Sequence, residues 1–335
     1  MQYSKNGGAK TTMSGTTTID VTVGDKVAFY GHGTDITSYI GVQILDGTAE
    51  VKVYGNIMSL VNENGFDTAT TLMANNVFNS LFRDNDKLTD ASGLLLPATT
   101  LTEYCYYKMF DGCTSLTAAP ALPATTLAER CYLQMFGGCT SLTAAPALPA
   151  TTLAGYCYYS MFSGCTSLTT VPDTLPATTL AQNCYNGMFN GCTSLTTAPV
   201  LPATTLAQNC YGGMFNGCYS LTSVPDTLPA TTLAQDCYRN MFYNCISLTT
   251  APVLPATTLV QNCYYHMFYY CSGLKSVTCL ATSGINENGS TTEWFYGAGP
   301  EGTKTFTAAP TTTWPTGIDG IPDGWTRLNP DGTPY

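Results

Sequence analysis

The segment Cys-Tyr-x-x-Met-Phe-x-x-Cys occurs seven times, beginning at Cys105, Cys131, Cys157, Cys184, Cys210, Cys237 and Cys263, at steps of 26 or 27 residues. A fixed period of that length is met when one supersecondary unit stacks on the next and each buries its apolar face against its neighbours. The spacing therefore predicts an α/β repeat solenoid. Its full unit reads Leu-Pro-Ala-Thr-Thr-Leu-Ala-x-x-Cys-Tyr-x-x-Met-Phe-x-Gly-Cys-Thr-Ser-Leu-Thr.

Within a unit, Leu101, Cys105, Met109 and Cys113 follow one another at four-residue steps, which predicts one apolar stripe of a helix. Thr100, Thr126, Thr179, Thr205, Thr232 and Thr258 each open a Thr-x-x-Glu/Gln sequence, the pattern of a capping box at a helix start. Gly112, Gly138, Gly164, Gly191 and Gly217 stand where such a helix would end. Each unit is thus expected to carry a short helix of about three turns. The following Thr-Ser-Leu-Thr places Leu116, Leu142, Leu168, Leu195, Leu221, Leu248 and Leu274 in a second apolar column before a proline such as Pro120. A short strand extended by its neighbours into a parallel ladder fits that pattern. The longer units take their extra residue at Pro172-Asp173-Thr174 and Pro225-Asp226-Thr227, where turn chemistry makes insertion cheap.

Fifteen cysteines would ordinarily suggest a disulfide framework. Two cysteines eight residues apart on a helix lie roughly 12 Å apart along its axis, too far for a bond between them. The columns are read as reduced thiols acting as small core residues, with disulfides between neighbouring units as the alternative.

The flanks differ from the array. Residues 1–62 read as a small β module, with Ile19 to Val23, Lys26 to Tyr30 and Ala49 to Tyr54 as antiparallel strands. The array spans 63–279. It opens on a degenerate unit in which Val77 and Asn85 hold the cysteine positions and Leu81-Phe82 replaces Met-Phe, as a capping repeat would. Residues 280–335 hold Trp294, Trp314 and Trp325 and two strand-like runs, Lys304 to Ala308 and Gly324 to Leu328. They are expected to form a carboxy-terminal cap.

Composition excludes some functions. Twelve basic residues stand against twenty-two acidic ones, a net charge of -10, and no Lys/Arg cluster is available to neutralise phosphates, so nucleic acid is not expected as a partner. No run approaches eighteen apolar residues, which argues against membrane insertion. Met1 to Lys10 lacks the basic-then-apolar pattern of a signal peptide. Either the protein stays in a cytoplasm, where assembly into a larger particle would retain it, or a leader has been removed.

Catalysis finds little support. The two histidines are His32 and His266, and a Cys263–His266 dyad can be drawn on a helix, but Cys263 belongs to the core column. The Cys-x7-Cys spacing misses zinc geometry, and Asp84-Asn85-Asp86 and Asp319 to Asp323 lack the other ligands of a calcium loop. Neither a metal nor a cofactor is expected. Variation between repeats is more informative: the position after the fixed Tyr holds Tyr107, Tyr159, Arg239 and Tyr265 in four units, and the one before the terminal Gly holds Tyr243 and Tyr269 in two. Such residues build binding surfaces, since Tyr offers wide contact at small entropic cost. With Trp294 beside the last of them, these are the candidate binding residues. The alternative is that exposed positions simply drift.

The pattern Thr-Leu-x-x-x-Cys-Tyr-x-x-Met-Phe-x-Gly-Cys-Thr-Ser-Leu-Thr resembles the BspA-type leucine-rich repeat over about residues 66 to 278, with Met-Phe where that family has Ala-Phe and a cysteine in place of an aliphatic residue. The resemblance implies a leucine-rich-repeat array of short parallel strands and short helices. It also implies a non-enzymatic adhesion or binding protein, displayed on a cell surface or in a phage virion or tail, with a cell-surface protein or glycan as partner. A structural spacer without a ligand is the remaining reading.

Overall fold

The computed structural model of the chain describes residues 1–14, 17–31, 49–61, 64–299, 302–310 and 312–335. At the amino terminus β1 (Gln2–Lys5) pairs antiparallel with both β2 (Thr11–Thr12) and β3 (Val27–Tyr30). The expected strand at Ile19 to Val23 is not formed. The third expected antiparallel strand is corrected: β4 (Val51–Asn56) pairs in parallel with β5 (Leu88–Leu95). It is already part of the ladder that the array continues, and Ile57 and Met58 behind it are buried with the array's core.

From Leu72 onward every unit repeats one path. Thr71, Thr100, Thr126, Thr152, Thr179, Thr205 and Thr232 bridge in parallel from unit to unit, and Thr258 bridges Ser283. The threonines read as helix caps are therefore rungs of a ladder. The leucine segment makes a second set of parallel bridges (Asp90 to Ala118, Ala144 to Thr170, Thr197 to Ser223, Thr250 to Ser276). The inserted residues in the longer units are accommodated in a third, through Thr174 to Val200 and Thr227 to Val253.

The expected three-turn helices are absent among the described residues. Between the Thr ladder and the leucine segment the chain forms a ribbon of overlapping β-turns. In the first regular unit the N–H groups of Cys105, Tyr107, Met109, Asp111 and Cys113 each donate to the carbonyl three residues back. Those of Tyr106, Lys108, Phe110 and Gly112 donate instead to the next unit, at Cys131, Leu133, Met135 and Gly137. The ribbon thus satisfies alternate amides internally and spends the rest on stacking, which no α-helix can do. Left-handed backbone makes this possible: Tyr104, Lys108 and Gly112 have φ of 55°, 51° and 76°, and the same three positions are left-handed in Asn183, Gly187 and Gly191. An L-residue held there costs of order 1 kcal/mol or more. Asn and Gly, which visit that region most readily, fill all three positions in the central units.

The core is columnar. Cys105, Tyr106, Met109, Phe110, Cys113 and Leu116 and their equivalents in the later units are almost fully buried. The tyrosines form one continuous stack, from Phe78 through Tyr106 to Tyr264 and on to Trp294 and Trp314, with centroids 5.4 to 6.0 Å apart. The phenylalanines form another, from Phe82 through Phe110 and Phe268 to Phe295 and Trp325. These centroid separations exceed the ~4.8 Å ladder spacing, so the rings are offset, the arrangement aromatic quadrupoles favour.

The end of the array follows. Ser276–Cys279 (β6), Thr305–Ala308 (β7) and Thr326–Leu328 (β8) continue a parallel sheet in that order. Trp294-Phe295 takes the place of Met-Phe, since Phe268 N–H donates to the Trp294 carbonyl as Phe110 donates to Met135.

All fifteen cysteines are buried and unpaired. The second column does more than fill space: the Cys113 thiol donates to the Phe82 carbonyl at 3.0 Å, Cys139 to Phe110 at 3.1 Å, and so on to Cys271 and Phe242 at 2.9 Å. A polar hydrogen directed at the previous unit's carbonyl explains cysteine where an aliphatic side chain would leave that acceptor with one partner fewer. Burial pushes the Cys113, Cys218 and Cys271 thiols up to about 12. A thiol-specific reagent at pH 8 is therefore expected to leave the native protein almost unmodified and to count close to fifteen thiols after denaturation without reductant. A count near one would overturn the reading.

Candidate recognition face

The ribbon's outward side chains lie in columns along the array, one per unit. In the column before the terminal Gly, Asp111, Gly137, Ser163, Asn190 and Asn216 give way to Tyr243 and Tyr269, and the stacking register adds Tyr296. Tyr243 and Tyr269 stack at 5.0 Å with 5° between planes, and Tyr269 and Tyr296 at 5.0 Å with 23°. Tyr270 meets Tyr269 and Tyr296 edge-on at 4.6 and 5.6 Å. In the neighbouring column the Arg239 guanidinium lies over the Tyr265 ring at 4.8 Å, and Tyr265 stacks on His266 at 3.8 Å. His266 in turn lies 4.6 Å from Tyr269. The result is one aromatic ridge with 39% of Tyr296 and 45% of Tyr270 exposed.

Its charges are few and matched. His266 Nε2 lies 3.0 Å from Glu293 Oε2; burial among the rings nonetheless holds the imidazole below its ordinary value, against the opposing pull of Glu293. Crowding pushes the Tyr269 phenol up to about 12, chiefly by desolvation.

The structure gathers Arg239, Tyr243, Tyr265 and Tyr269 and separates the other candidates from them. Tyr107 lies at the opposite end of the array, against Tyr104 and beneath Lys108. Tyr159 packs on Tyr156, which with Tyr104 flanks Arg130. Trp294 is corrected: at 0% exposure, with its indole N–H donating to the Gly320 carbonyl, it is a core residue and offers nothing to a ligand. The sequence reading missed Tyr270, Tyr296 and Glu293. Counting one more period of 27 residues from Phe268 reaches Phe295, which would have placed Tyr296 in the column.

No catalytic arrangement emerges from the residues considered for one. Cys263 is buried, its thiol pushed up to about 12 by desolvation, while His266 faces Glu293 instead. His32 lies outside the described residues. Asp319 accepts from the Glu293 N–H and Asp84 pairs with Arg83; among the described residues no three His, Cys, Asp or Glu side chains converge as metal ligands would. Among those same residues no helix is long and apolar enough to cross a membrane.

Stacked parallel units of this length with a recurrent leucine column define a leucine-rich-repeat protein. The profile of the BspA type leucine rich repeat region matches six copies over residues 108–241 and 212–292, more than half of the chain. The chain belongs to that family, a repeat scaffold, and so bears out the resemblance. A comparison with curated proteins finds no match. Among solved structures, a leucine-rich repeat protein from Bacteroides ovatus is similar, at 17% identity with a TM-score of 0.42, over 81% of this chain and 63% of that one. The chain thus spans less than two thirds of that protein's length.

Proposed function

We propose that this is a non-catalytic recognition protein that attaches to a cell-surface protein or glycan through the aromatic ridge at the carboxy-terminal end of its array. The observation that carries the reading is the run Tyr243–Tyr269–Tyr296, which a repeat occupied elsewhere by Asp, Gly, Ser and Asn does not require for stacking. Aromatic side chains held rigid before binding lose little entropy on contact and commonly dominate interface energy. The family's scaffold character supports an interaction role over chemistry. Display on a bacterial surface or as part of a phage virion would put such a ridge in reach of its target.

The test replaces Tyr243, Tyr265 and Tyr269 together by Ser and measures binding of the labelled protein to a panel of bacterial and epithelial cells by flow cytometry. Attachment to whichever cells the parent protein binds should fall at least ~10-fold, as loss of anchor residues does. The melting temperature should move by only a few degrees, because the rings lie outside the buried columns. Unchanged attachment by the folded variant would move binding to a terminal module or leave the array a spacer.

A further inference from the structure

A second feature of the same face lies outside the ridge. In the column that follows the core tyrosines, side chains are present at Tyr159, Asn186 and Arg239, but the unit between the last two has Gly212, followed by Gly213, and the unit before it has Gly187. Beside Gly213, where an added Cβ would meet nothing, lies a notch of about 340 Å³ bounded by Tyr159 at one end and Arg239 at the other. At ~4.8 Å per stacked unit, three steps separate these walls by roughly 15 Å centre to centre, which leaves about 11 Å clear after van der Waals contact, the length of a disaccharide.

The notch is lined by planar amides and small polar groups: Ser160, Asn186, Asn190, Asn209, Asn216 and Asn240, with Asp236 at the Arg239 end. Gly212 lets two of these amides close over its backbone. A Cβ on Gly212 would stand 2.0 Å from Asn209 Oδ1 and 2.6 Å from Asn186 Nδ2, so no other residue fits without displacing both amides. Asn209 is itself fixed, donating from Nδ2 to Asn183 Oδ1 at 2.6 Å. One acceptor in the lining residues, Asn240 Oδ1, is buried without a hydrogen-bond partner, a condition native proteins rarely leave unexplained. Asp236 and Arg239 approach to 3.6 Å, so the formal charges of the lining residues cancel.

We infer that this notch is a binding site for a neutral saccharide. Vicinal hydroxyls both donate and accept, and so match a wall of Asn side chains, each offering an acceptor oxygen and two donor hydrogens. A phosphate or sulfate would meet a single guanidinium already paired with a carboxylate. An apolar ligand would leave the amides and the Asn240 oxygen unsatisfied. Tyr159 supplies an apolar surface at one end for the C–H face of a ring. The inference shares with the proposed function the premise that the ribbon face is a recognition face, and of the ridge residues it uses Arg239 alone.

Saturation-transfer NMR on the full chain, with methyl hexopyranosides of glucose, galactose and mannose and the disaccharides cellobiose, lactose and maltose as separate probes, tests it. At least one probe should receive saturation and compete with no added peptide. Two variants should each weaken that probe at least 10-fold. Gly213→His fills the notch at a left-handed position where His266 already sits in another unit and where a Cβ meets nothing. Asp236→Asn removes the carboxylate at φ 57°, a conformation Asn accepts. Because neither touches the buried columns, an unchanged melting temperature separates loss of the site from loss of the fold. A ridge variant that keeps Tyr265 beneath Arg239, Tyr243→Ser with Tyr269→Ser, should bind the same probe as the parent does, so failure of the ridge and failure of the notch read differently. Absence of transfer to all six sugars, transfer indifferent to both variants, or displacement by a glycine-serine peptide, which would mark a peptide groove, would overturn the assignment.

Discussion

Above pH 9 the protein is expected to lose stability steeply and to unfold cooperatively before pH 11. All fifteen thiols are buried, and desolvation raises each of them, to about 12 for Cys105, Cys165 and Cys184 among others, from an ordinary 9.0. In the unfolded chain these groups release their protons through pH 9, whereas in the fold they keep them. The folded state then binds more protons than the unfolded one, and stability falls as pH rises. At pH 10, one unit above the ordinary value, each thiol forgoes on the order of 1 kcal/mol. Across the columns that is on the order of 10 kcal/mol, comparable to a typical folding stability of about 5–15 kcal/mol. The buried tyrosines, raised by the same desolvation, add to the loss at slightly higher pH. Melting curves by circular dichroism at unit steps from pH 7 to 11 should hold level up to pH 8 and then collapse. A melting temperature still level at pH 11 would mean that the thiols are not in a dry core.

Replacing Met188 by Asp should abolish cooperative folding. Met188 is 0% exposed in the fourth regular unit, with Met161 and Met214 at the same place in the units on either side. An uncompensated carboxylate there costs several kcal/mol, or is protonated at a comparable cost in desolvation. Because each unit is held by its two neighbours alone, disruption at the centre uncouples the halves of the array. Asn186→Asp, two residues away on the outward face, is the control and should shift the melting temperature little. Equal behaviour of the two variants in thermal melts would show that the inward and outward faces have been exchanged.

The stacking columns were legible because every unit repeats them. Cys105, Met109 and Cys113 are buried as their spacing requires, and Val77, Leu81 and Phe82 occupy the capping positions read from the sequence. The helix was misread for a definable reason. In an α-helix each residue turns about 100°, so a strict four-residue step drifts about 40° and a true stripe must mix steps of three and four. Leu101, Cys105, Met109 and Cys113 never take a step of three, and Asn183, Gly187 and Gly191 place left-handed residue types at the same interval. Together these mark a period-four ribbon. Thr100 and Thr126 satisfied a capping pattern while serving a ladder, since a local motif carries no sign of which neighbour its backbone will meet.

The candidate recognition face was half legible. Substitution between units exposed Arg239, Tyr243, Tyr265 and Tyr269, but Trp294 was placed outside by its nearness in sequence, when it holds the Met position of a further, degenerate unit. The notch was invisible to a search for large side chains, because Gly212 and Gly213 lie among its lining residues.

The ridge and the notch both depend on the ribbon: its left-handed residues decide which side chains point outward and align them in columns. The far-UV circular dichroism spectrum of the native protein at neutral pH tests that most directly. Three-turn helices in seven units would make roughly a quarter of the chain helical and give the paired minima of an α-helix. The ribbon predicts that those minima are absent and that a turn and sheet spectrum is lost in one step on melting, whereas a strong helical spectrum would contradict the account.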